Sequence, residues 1–182
     1  MSGRPEHSRN GYDRSVTAIG TRATELVRRA GVDHRLHAYE APERHGRARD
    51  GRPAFGSEAA AALGVAPERI LKTLVAAVDD RLVLAVVPVA RELDLKRLAD
   101  ACGGRRADLA DPAAAERATG YVIGGISPLG SRRPLAVIVD AEANRHPTVF
   151  VSAGRRGLQV ELAPDDLVRL AGALVASIVR DY

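Results

Sequence analysis

Two adjacent apolar segments constrain the fold of this chain more than any other feature. LKTLVAAVDD (71–80) and RLVLAVVPV (81–89) are rich in Val, Leu and Ala and meet at the turn sequence Asp79-Asp80-Arg81. Runs of this length and composition around a polar turn predict a β-hairpin. Because the first strand is apolar on both faces, other elements have to cover it on both sides.

Further strands and helices are predicted on either side of this hairpin. Apolar alternation predicts strands at HRLHAYE (34–40), YVIGG (121–125), PLAVIVD (134–140), TVFVSAG (148–154) and LQVEL (158–162). Apolar periodicity and capping residues predict five helices. They lie at 17–30, at 56–65 with Ser57 as N-cap and Gly64 as C-terminal stop, at 92–104 opened by Asp94, at 111–120 opened by Asp111 and closed by Gly120, and from Pro164 to about Arg180. Strands therefore outnumber helices.

The order of these elements predicts a single α+β domain with a mixed, mainly antiparallel sheet surrounded by helices. The 182 residues suffice for one domain with a substantial core. Residues 1–16 are polar and contain Gly, Pro and Ser. We therefore expect a disordered N-terminal tail over 1–16, followed by one domain over 17–182.

Composition and charge narrow the class of protein. The net charge of +4 suits a polyanionic partner, but an ordinary solvated surface of Arg and Glu would give the same value. Cys102 is the only cysteine, which excludes an internal disulfide and fits a reducing cytoplasm. The N-terminus lacks the apolar segment of a secretory signal, and no apolar run reaches the ~20 residues that span a bilayer. We expect a cytoplasmic protein without a membrane partner.

Lys72 is unusual because it interrupts an apolar strand. The chain has 27 Lys and Arg residues, and only Lys72 and Lys96 are lysines. A lysine at such a position loses hydration unless its ammonium group reaches water, a partner or a ligand. Two interpretations are open. The side chain can carry its charge to the edge of the sheet, or the ammonium lines a cavity, where it meets an anion or polarises a carbonyl.

The segment YVIGGISPLG (121–130) places two glycines after a predicted strand. Gly124 and Gly125 would let the backbone approach a ligand and offer N–H groups that polarise a carbonyl. A plain loop is the alternative. The glycine spacing around Ser127 differs from that of a G-x-S-x-G nucleophile elbow. The loop also matches neither the dinucleotide-binding fingerprint nor the P-loop.

A second glycine-containing turn, SAGRRG (152–157), carries two arginines at the tip of a predicted hairpin. Guanidinium groups beside flexible backbone suit phosphate binding, which makes Arg155 and Arg156 candidates for contact with an anion. An exposed basic turn without a role is the alternative.

The sequence predicts no metal site, no cofactor and no catalytic nucleophile of the protein's own. His34 and His37 lie three residues apart on a predicted strand, so their side chains point to opposite faces. Cys102 lies at the end of a predicted helix without a basic partner and is assigned a structural role. No Ser-His-Asp or Cys-His arrangement is visible.

Five segments carry a resemblance to a known family: ILKTLV, AVVPVARELDLKRLA, ADPAAAERATGYVIGGISPLG, IVDAEA and VFVSAGRRGLQVELAPDDL. In this order, from about residue 21 to residue 180, they resemble the prolyl-tRNA editing family, specifically the YbaK/EbsC-like Cys-tRNA(Pro) deacylases. The combination of TGYVIGGISPLG with VSAGRRGL is typical of this group. The resemblance implies the YbaK/aminoacyl-tRNA synthetase-associated fold, with a barrel-like sheet.

The resemblance also implies a set of site residues. The lysine of the KTL strand, which lines the family's pocket and is needed for deacylation, corresponds to Lys72. Tyr39 in HAYE and Phe55 in AFGS correspond to two aromatic pocket residues. Gly124 and Gly125 correspond to the loop whose backbone faces the aminoacyl carbonyl.

A second group of residues is implied near the tRNA end. Ser152 and Gly154 correspond to a loop near the terminal adenosine, and we expect Ser127 to bind the substrate as well. We expect Arg155 and Arg156 to contact tRNA phosphates. One position departs from the family, because Gln159 stands where many members have an aspartate. A carboxylate there could pair with Lys72 or with a substrate ammonium group, and glutamine cannot supply that charge.

The implied reaction is the clearance of mischarged Cys-tRNA(Pro) by cleavage of the aminoacyl ester. In the family the substrate's own thiol is thought to attack the ester carbonyl and to leave as a cyclic thiolactone, without a protein nucleophile, metal or cofactor. The expected partners are aminoacylated tRNA(Pro) and, in a transient ternary complex, prolyl-tRNA synthetase, but not DNA. The alternatives are a non-catalytic module that binds tRNA ends and a deacylase for another small amino acid such as alanine.

Overall fold

The predicted hairpin forms the centre of the larger of two sheets. The computed structural model of the protein describes residues 19–41 and 55–181, so the predicted tail at 1–16 lies outside the described residues. The two strands of the hairpin pair antiparallel over their whole length, from Leu71 opposite Pro88 to Val78 opposite Arg81. The hairpin prediction is therefore confirmed.

Within the described residues there are five helices and eight strands, so strands outnumber helices as predicted. The helices are α1 (Arg22–Ala30), α2 (Phe55–Leu63), α3 (Leu95–Ala101), α4 (Pro112–Thr119) and α5 (Pro164–Ala171). The strands are β1 (His34–Ala38), β2 (Leu71–Val78), β3 (Arg81–Pro88), β4 (Ala107–Leu109), β5 (Ala136–Asp140), β6 (Val149–Ser152), β7 (Leu158–Leu162) and β8 (Leu174–Ala176). Short 3₁₀ turns span Pro67–Arg69 and Ala141–Arg145.

The strands form a five-stranded sheet in the order β4-β2-β3-β5-β8 and a three-stranded sheet in the order β1-β7-β6. Pairing is antiparallel except for the pairs β3–β5 and β5–β8, which are parallel. The predicted class, α+β with a mixed and mainly antiparallel sheet, is confirmed. The expected barrel-like sheet is not confirmed, because the strands divide between two sheets that do not close into a barrel.

Ile70 connects the two sheets through the backbone. Ile70, just before β2, forms a parallel bridge with Phe150 of β6, and its carbonyl accepts the N–H of Val89 at 2.8 Å. The outer edge of β2 pairs with β4 only over 76–78. Residues 71–74 of that edge therefore pair with neither β4 nor β6, and a gap opens between the sheets.

Both faces of the hairpin are covered, as its composition requires. One face contributes Val75 and Leu84 to a core that also contains Val151 and Val160 of the smaller sheet. The opposite face packs against a second cluster that includes Leu98 of α3 and Ile178. Each Val or Leu side chain buried in this way stabilises the fold by about 1.5–3 kcal/mol.

Two predicted elements differ in the structure. YVIGG (121–125) is a turn instead of a strand, because the N–H of Gly125 donates to the carbonyl of Val122 at 2.9 Å and Gly124 has a φ of +87°. The last helix ends at Ala171 instead of about Arg180, because Gly172 adopts the left-handed conformation that closes a helix.

The starts of two helices also differ from prediction. Helix α2 begins at Phe55, which places Ser57 inside its first turn instead of at the N-cap, although Gly64 closes the helix as predicted with a φ of +63°. Helix α1 begins at Arg22, because Thr21 caps it through a reciprocal hydrogen-bond pair with Thr24.

A polar cluster reinforces the junction of the two sheets. Glu161 of β7 accepts hydrogen bonds from His37 (Nε2–Oε2, 2.9 Å), Thr148 (Oγ1–Oε1, 2.6 Å) and Arg69 (Nη2–Oε1, 3.1 Å). Burial alone would raise the pKa of Glu161, but these hydrogen bonds and the charges of His37 and Arg69 outweigh it and lower the pKa. Arg69 directly precedes Ile70, so the cluster fixes the start of β2 against the smaller sheet.

Replacing Glu161 by Gln should destabilise the protein in a pH-dependent way. The carboxylate contributes stability above the ordinary Glu pKa, and this contribution is lost as the pH falls through the lower folded-state pKa. We expect a loss of about 1–2 kcal/mol in the free energy of unfolding at pH 7, since the cluster is partly exposed. The difference from the wild type should shrink towards pH 3 in urea titrations. The exposed Glu68→Gln is the control, and an equal loss at every pH would contradict the prediction.

Candidate active site

A cavity of about 310 Å³ opens in the gap between the two sheets. Its walls come from the start of β2, the face of the smaller sheet that carries Ser152 and Gln159, the first turn of α2, and the turn around Gly124. The sequence-predicted residues that line it are Tyr39, Phe55, Lys72, Gly124, Ser152 and Gln159. Six candidates from five separate parts of the chain thus meet in one cavity.

Lys72 lies on β2 opposite Val87, is partly buried and contributes to the cavity wall. Among the lining residues that the structure describes, it carries the only formal charge. The remaining walls are largely apolar, with Ile70, Leu71 and Ile126 among them. The position matches the second interpretation of this lysine, in which its ammonium group lines a cavity.

The turn over residues 121–125 closes one side of the cavity, and its two glycines behave differently. Gly124 lines the cavity, and a methyl group there would lie 2.9 Å from the Phe55 ring. The N–H of Gly125 is already donated to Val122, and a methyl group there would lie 2.8 Å from the backbone of Arg155. Gly125 therefore lets two loops pack together and has no N–H left for a carbonyl.

Arg156 holds three parts of the cavity mouth together. Its Nε donates to the carbonyl of Ile123 at 2.8 Å, and its guanidinium group lies 5.1 Å from the centre of the Phe55 ring. A cation over an aromatic face at this distance is attractive. Although Arg156 is exposed, this side chain joins the β6–β7 turn, the turn before Gly124 and helix α2.

Three other predicted site residues lie outside the cavity lining. Ser127 is fully buried, and its Oγ accepts the N–H of Leu129 at 3.2 Å. Gly154, with a φ of +93°, packs so closely on Tyr121 that a methyl group would lie 2.7 Å from the ring. Arg155 is exposed on the β6–β7 turn. The local contacts of Ser127 and Gly154 are those of residues that shape the loops.

Three buried polar atoms in the cavity wall have no hydrogen-bond partner within the protein. They are Oγ1 of Thr73, Oγ of Ser152 and Oε1 of Gln159. Buried polar atoms without partners are rare, because each costs about 1–3 kcal/mol. Together they give the cavity wall hydrogen-bonding capacity that the protein itself does not use. Sequence reasoning missed Thr73, although it directly follows Lys72.

Tyr39 completes the polar part of the wall. Burial raises the pKa of its hydroxyl group, and the charge of Glu58 adds to this, while hydrogen bonds with Gln159 and the backbone of Gly157 act in the opposite direction. The hydroxyl therefore stays protonated at neutral pH and can donate a hydrogen bond.

The described parts of the chain contain no cluster of three His, Cys, Asp or Glu side chains that could hold a metal ion. None of their helices is long and apolar enough to cross a membrane. Cys102 is partly exposed at the end of α3, and burial raises the pKa of its thiol.

Replacing Gly125 by Ala should damage both the fold and the site. The added methyl group would meet the Arg155 backbone at 2.8 Å and force the two loops apart. We expect a loss of about 1–3 kcal/mol in the free energy of unfolding. Gly20→Ala is the matched control, because its nearest neighbouring atom would lie 3.8 Å away. Unchanged thermal unfolding of Gly125→Ala would contradict the close packing of the loops.

Comparison with known proteins agrees with this geometry. The curated protein EbsC of Enterococcus faecalis, for which Cys-tRNA(Pro)/Cys-tRNA(Cys) deacylase activity has been proposed, is 40% identical over 121 residues, or 65% of this chain and 73% of EbsC. The multifunctional Ser/Thr-tRNA deacylase ProXp-y of Escherichia coli K12 is 34% identical over 90 residues, or 49% of this chain and 54% of that protein.

A solved structure extends the similarity to the fold. The crystal structure of a proposed trans-editing enzyme for prolyl-tRNA synthetase aligns with a TM-score of 0.72 at 26% identity, and the alignment covers 88% of this chain and 96% of that one. The family model of the aminoacyl-tRNA editing domain matches residues 54–170, which include the hairpin, the turn at Gly124 and the β6–β7 turn. The chain therefore belongs to the aminoacyl-tRNA editing domain family.

Proposed function

We propose that this protein is a trans-editing aminoacyl-tRNA deacylase that cleaves the ester of Cys-tRNA(Pro). The observation that carries the proposal is Lys72, the one charged residue among the described lining residues of a largely apolar cavity that also contains unpartnered polar atoms. The activity proposed for EbsC and the trans-editing description of the structural relative support the same reaction class.

The proposed chemistry uses the substrate's own thiol. The cysteine sulfur attacks the ester carbonyl carbon, a C–S bond forms, and the C–O bond to the ribose breaks. The thiol proton ends on the ribose oxygen, and the amino acid leaves as a cyclic thiolactone. This route suits a cavity whose described lining residues include no His, Cys, Asp or Glu to act as base or nucleophile.

The protein's contribution in this reaction is position and charge. A cavity of about 310 Å³ holds the aminoacyl group so that its sulfur and carbonyl stay close, which replaces a bimolecular encounter by an intramolecular one. The ammonium group of Lys72 stabilises negative charge as it develops on the carbonyl oxygen. It also favours the thiolate over the thiol. Gly124 brings backbone to the same cavity, whereas the Gly125 N–H is already used.

The tRNA is proposed to reach the cavity over the β6–β7 turn. Arg155 and Arg156 are exposed there, and Arg156 lies at the mouth itself. Guanidinium groups in this position can bind phosphates of the acceptor end. Selection of tRNA(Pro) would come from prolyl-tRNA synthetase in a transient ternary complex, and such a substrate implies a cytoplasmic location.

A second candidate function is a module of the same fold that binds the tRNA end without cleaving the ester. The observation that favours it is Gln159, which places a neutral amide in the cavity where many family members have a carboxylate. A third candidate, suggested by the Ser/Thr-tRNA deacylase among the relatives, is cleavage of a different small amino acid.

Release of amino acid from Cys-tRNA(Pro), Ser-tRNA(Pro) and Ala-tRNA(Pro) tests the proposed function directly. The wild type should release cysteine much faster than the other two, because only cysteine carries the attacking thiol. Lys72→Ala should reduce that rate by at least about 100-fold while thermal unfolding shows a folded protein. The exposed Lys96→Ala is the matched control and should keep the wild-type rate.

The other outcomes separate the candidates. Binding of Cys-tRNA(Pro) without release of any amino acid would favour the binding module. Fast release of serine or alanine would replace the thiol mechanism by direct hydrolysis. Full activity of Lys72→Ala would remove Lys72 from the reaction.

The proposed partnership with prolyl-tRNA synthetase can be tested by co-precipitation. The tagged protein should retain the synthetase when tRNA(Pro) is present and lose it when the tRNA is digested. Retention of neither synthetase nor tRNA in the three-component mixture would contradict the ternary complex. In that case, selectivity for tRNA(Pro) would have to come from the editing protein alone.

A further inference from the structure

Gln159 occupies the most constrained position in the cavity wall. It lies on β7, the central strand of the smaller sheet, opposite His37 of β1 on one side and Ser152 of β6 on the other. The residue is 6% exposed, so nine-tenths of its surface is covered by protein. A side chain on a central strand with neighbours on both sides cannot shift without disturbing the sheet.

The hydrogen bond with Tyr39 fixes the orientation of the Gln159 amide. Because Oε1 of Gln159 has no hydrogen-bond partner in the protein, the bond with Tyr39 is made by the amide NH₂, which donates to the phenolic oxygen. The other end of the amide, Oε1, is buried and has no partner in the protein. The Gln159 amide thus has its nitrogen bound to Tyr39 and its oxygen left for a ligand.

The group that meets Oε1 must be a hydrogen-bond donor, because an amide oxygen can only accept. Oγ of Ser152, on the neighbouring strand, and Oγ1 of Thr73, across the gap, are also buried and unpartnered in the same cavity. Three oxygens in one cavity suit a ligand group with more than one N–H. A thiol or hydroxyl group offers only one donor hydrogen.

In an aminoacyl ester the group that fits is the α-amino group. It is two bonds from the ester carbonyl carbon, so a carbonyl placed at Lys72 and Gly124 brings the amine into the same small cavity. The exocyclic amine of adenine also carries two N–H groups, but it lies beyond the ribose. We propose that Gln159 binds the α-amino group of the aminoacyl ester through Oε1, and that Tyr39 is the positioning residue that holds the amide in this orientation.

This inference rests on the proposed function and specifies which part of the substrate the cavity recognises. Recognition of the amine would distinguish a free aminoacyl ester from one whose nitrogen is acylated, as in a peptidyl-tRNA. An N-acylated substrate has fewer donor hydrogens and adds bulk beside a buried wall.

Two non-hydrolysable probes test the proposal. The first is 3′-amino-3′-deoxyadenosine with an alanyl group in amide linkage on the 3′ nitrogen. The second carries a propionyl group there and therefore lacks the α-amine. Binding of each is measured by calorimetry at pH 7.5. The wild type should bind the alanyl probe about 10- to 100-fold more tightly, the value of a hydrogen bond to a charged group.

Three variants distinguish a specific contact from a structural role. Gln159→Met keeps the length of the side chain and should abolish the preference for the alanyl probe while binding of the propionyl probe is retained. Gln159→Glu keeps an acceptor and should restore the preference. Tyr39→Phe should reduce the preference by about 3- to 10-fold, because the amide is no longer held.

Each other outcome overturns the proposal in a recognisable way. Equal binding of both probes by the wild type would show that the amine is not read, while the proposed function would stand. A preference that survives in Gln159→Met would assign the amine to another residue. If 6-deamino versions of the probes lose affinity in the wild type but not in Gln159→Met, the residue would read adenine instead. Failure of the wild type to bind either probe would overturn the proposed recognition of the amine, and release of cysteine from Cys-tRNA(Pro) by the same preparation would show separately whether the proposed function stands.

Discussion

The contact between Ile70 and Phe150 is the constraint on which the cavity depends. It brings the start of β2 to the edge of the smaller sheet, while the other end of the same edge pairs with β4. Between these two contacts residues 71–74 form no ladder with β4 or β6, and the side chains around them line the cavity. Because Arg69 is anchored to Glu161 just before Ile70, the separation of the sheets is fixed by a partly exposed ionic cluster as well as by apolar packing.

The cavity wall also shows where stability is sacrificed for a site. The oxygens of Thr73, Ser152 and Gln159 would be better satisfied in water, and apolar side chains of similar size would stabilise the fold. Nearby, the comparable group Glu161 has every oxygen bonded. Gln159 and Glu161 lie on the same face of β7, two residues apart, and only Gln159, in the cavity wall, has an oxygen without a partner. Local inconsistency of this kind is characteristic of functional sites.

Much of the fold could be predicted because its signals are local. The apolar hairpin, the capping residues Asp94 and Asp111, and the closing glycine Gly120 each act within a few residues. The turn at 121–125 could not be recognised, since its sequence is β-prone and only the Gly125–Val122 hydrogen bond decides it. Likewise, the packing role of Gly125 depends on Arg155, which is thirty positions away in the sequence. Thr73 could not be identified as a candidate from the sequence, because what distinguishes it is a buried hydroxyl group without a hydrogen-bond partner.

The glycines around the cavity have a consequence for how its selectivity can change in evolution. A methyl group at Gly56 would lie 2.1 Å from Val89, and Gly124 and Gly125 are closed to substitution by Phe55 and by the Arg155 backbone. The helix side and the loop side of the cavity therefore have no adjustable volume. We therefore expect substrate choice to vary through the strand side, where exchanges at Thr73, Ser152 and Gln159 alter the hydrogen-bonding capacity of the wall. Members of the family that act on different amino acids should diverge first at those positions.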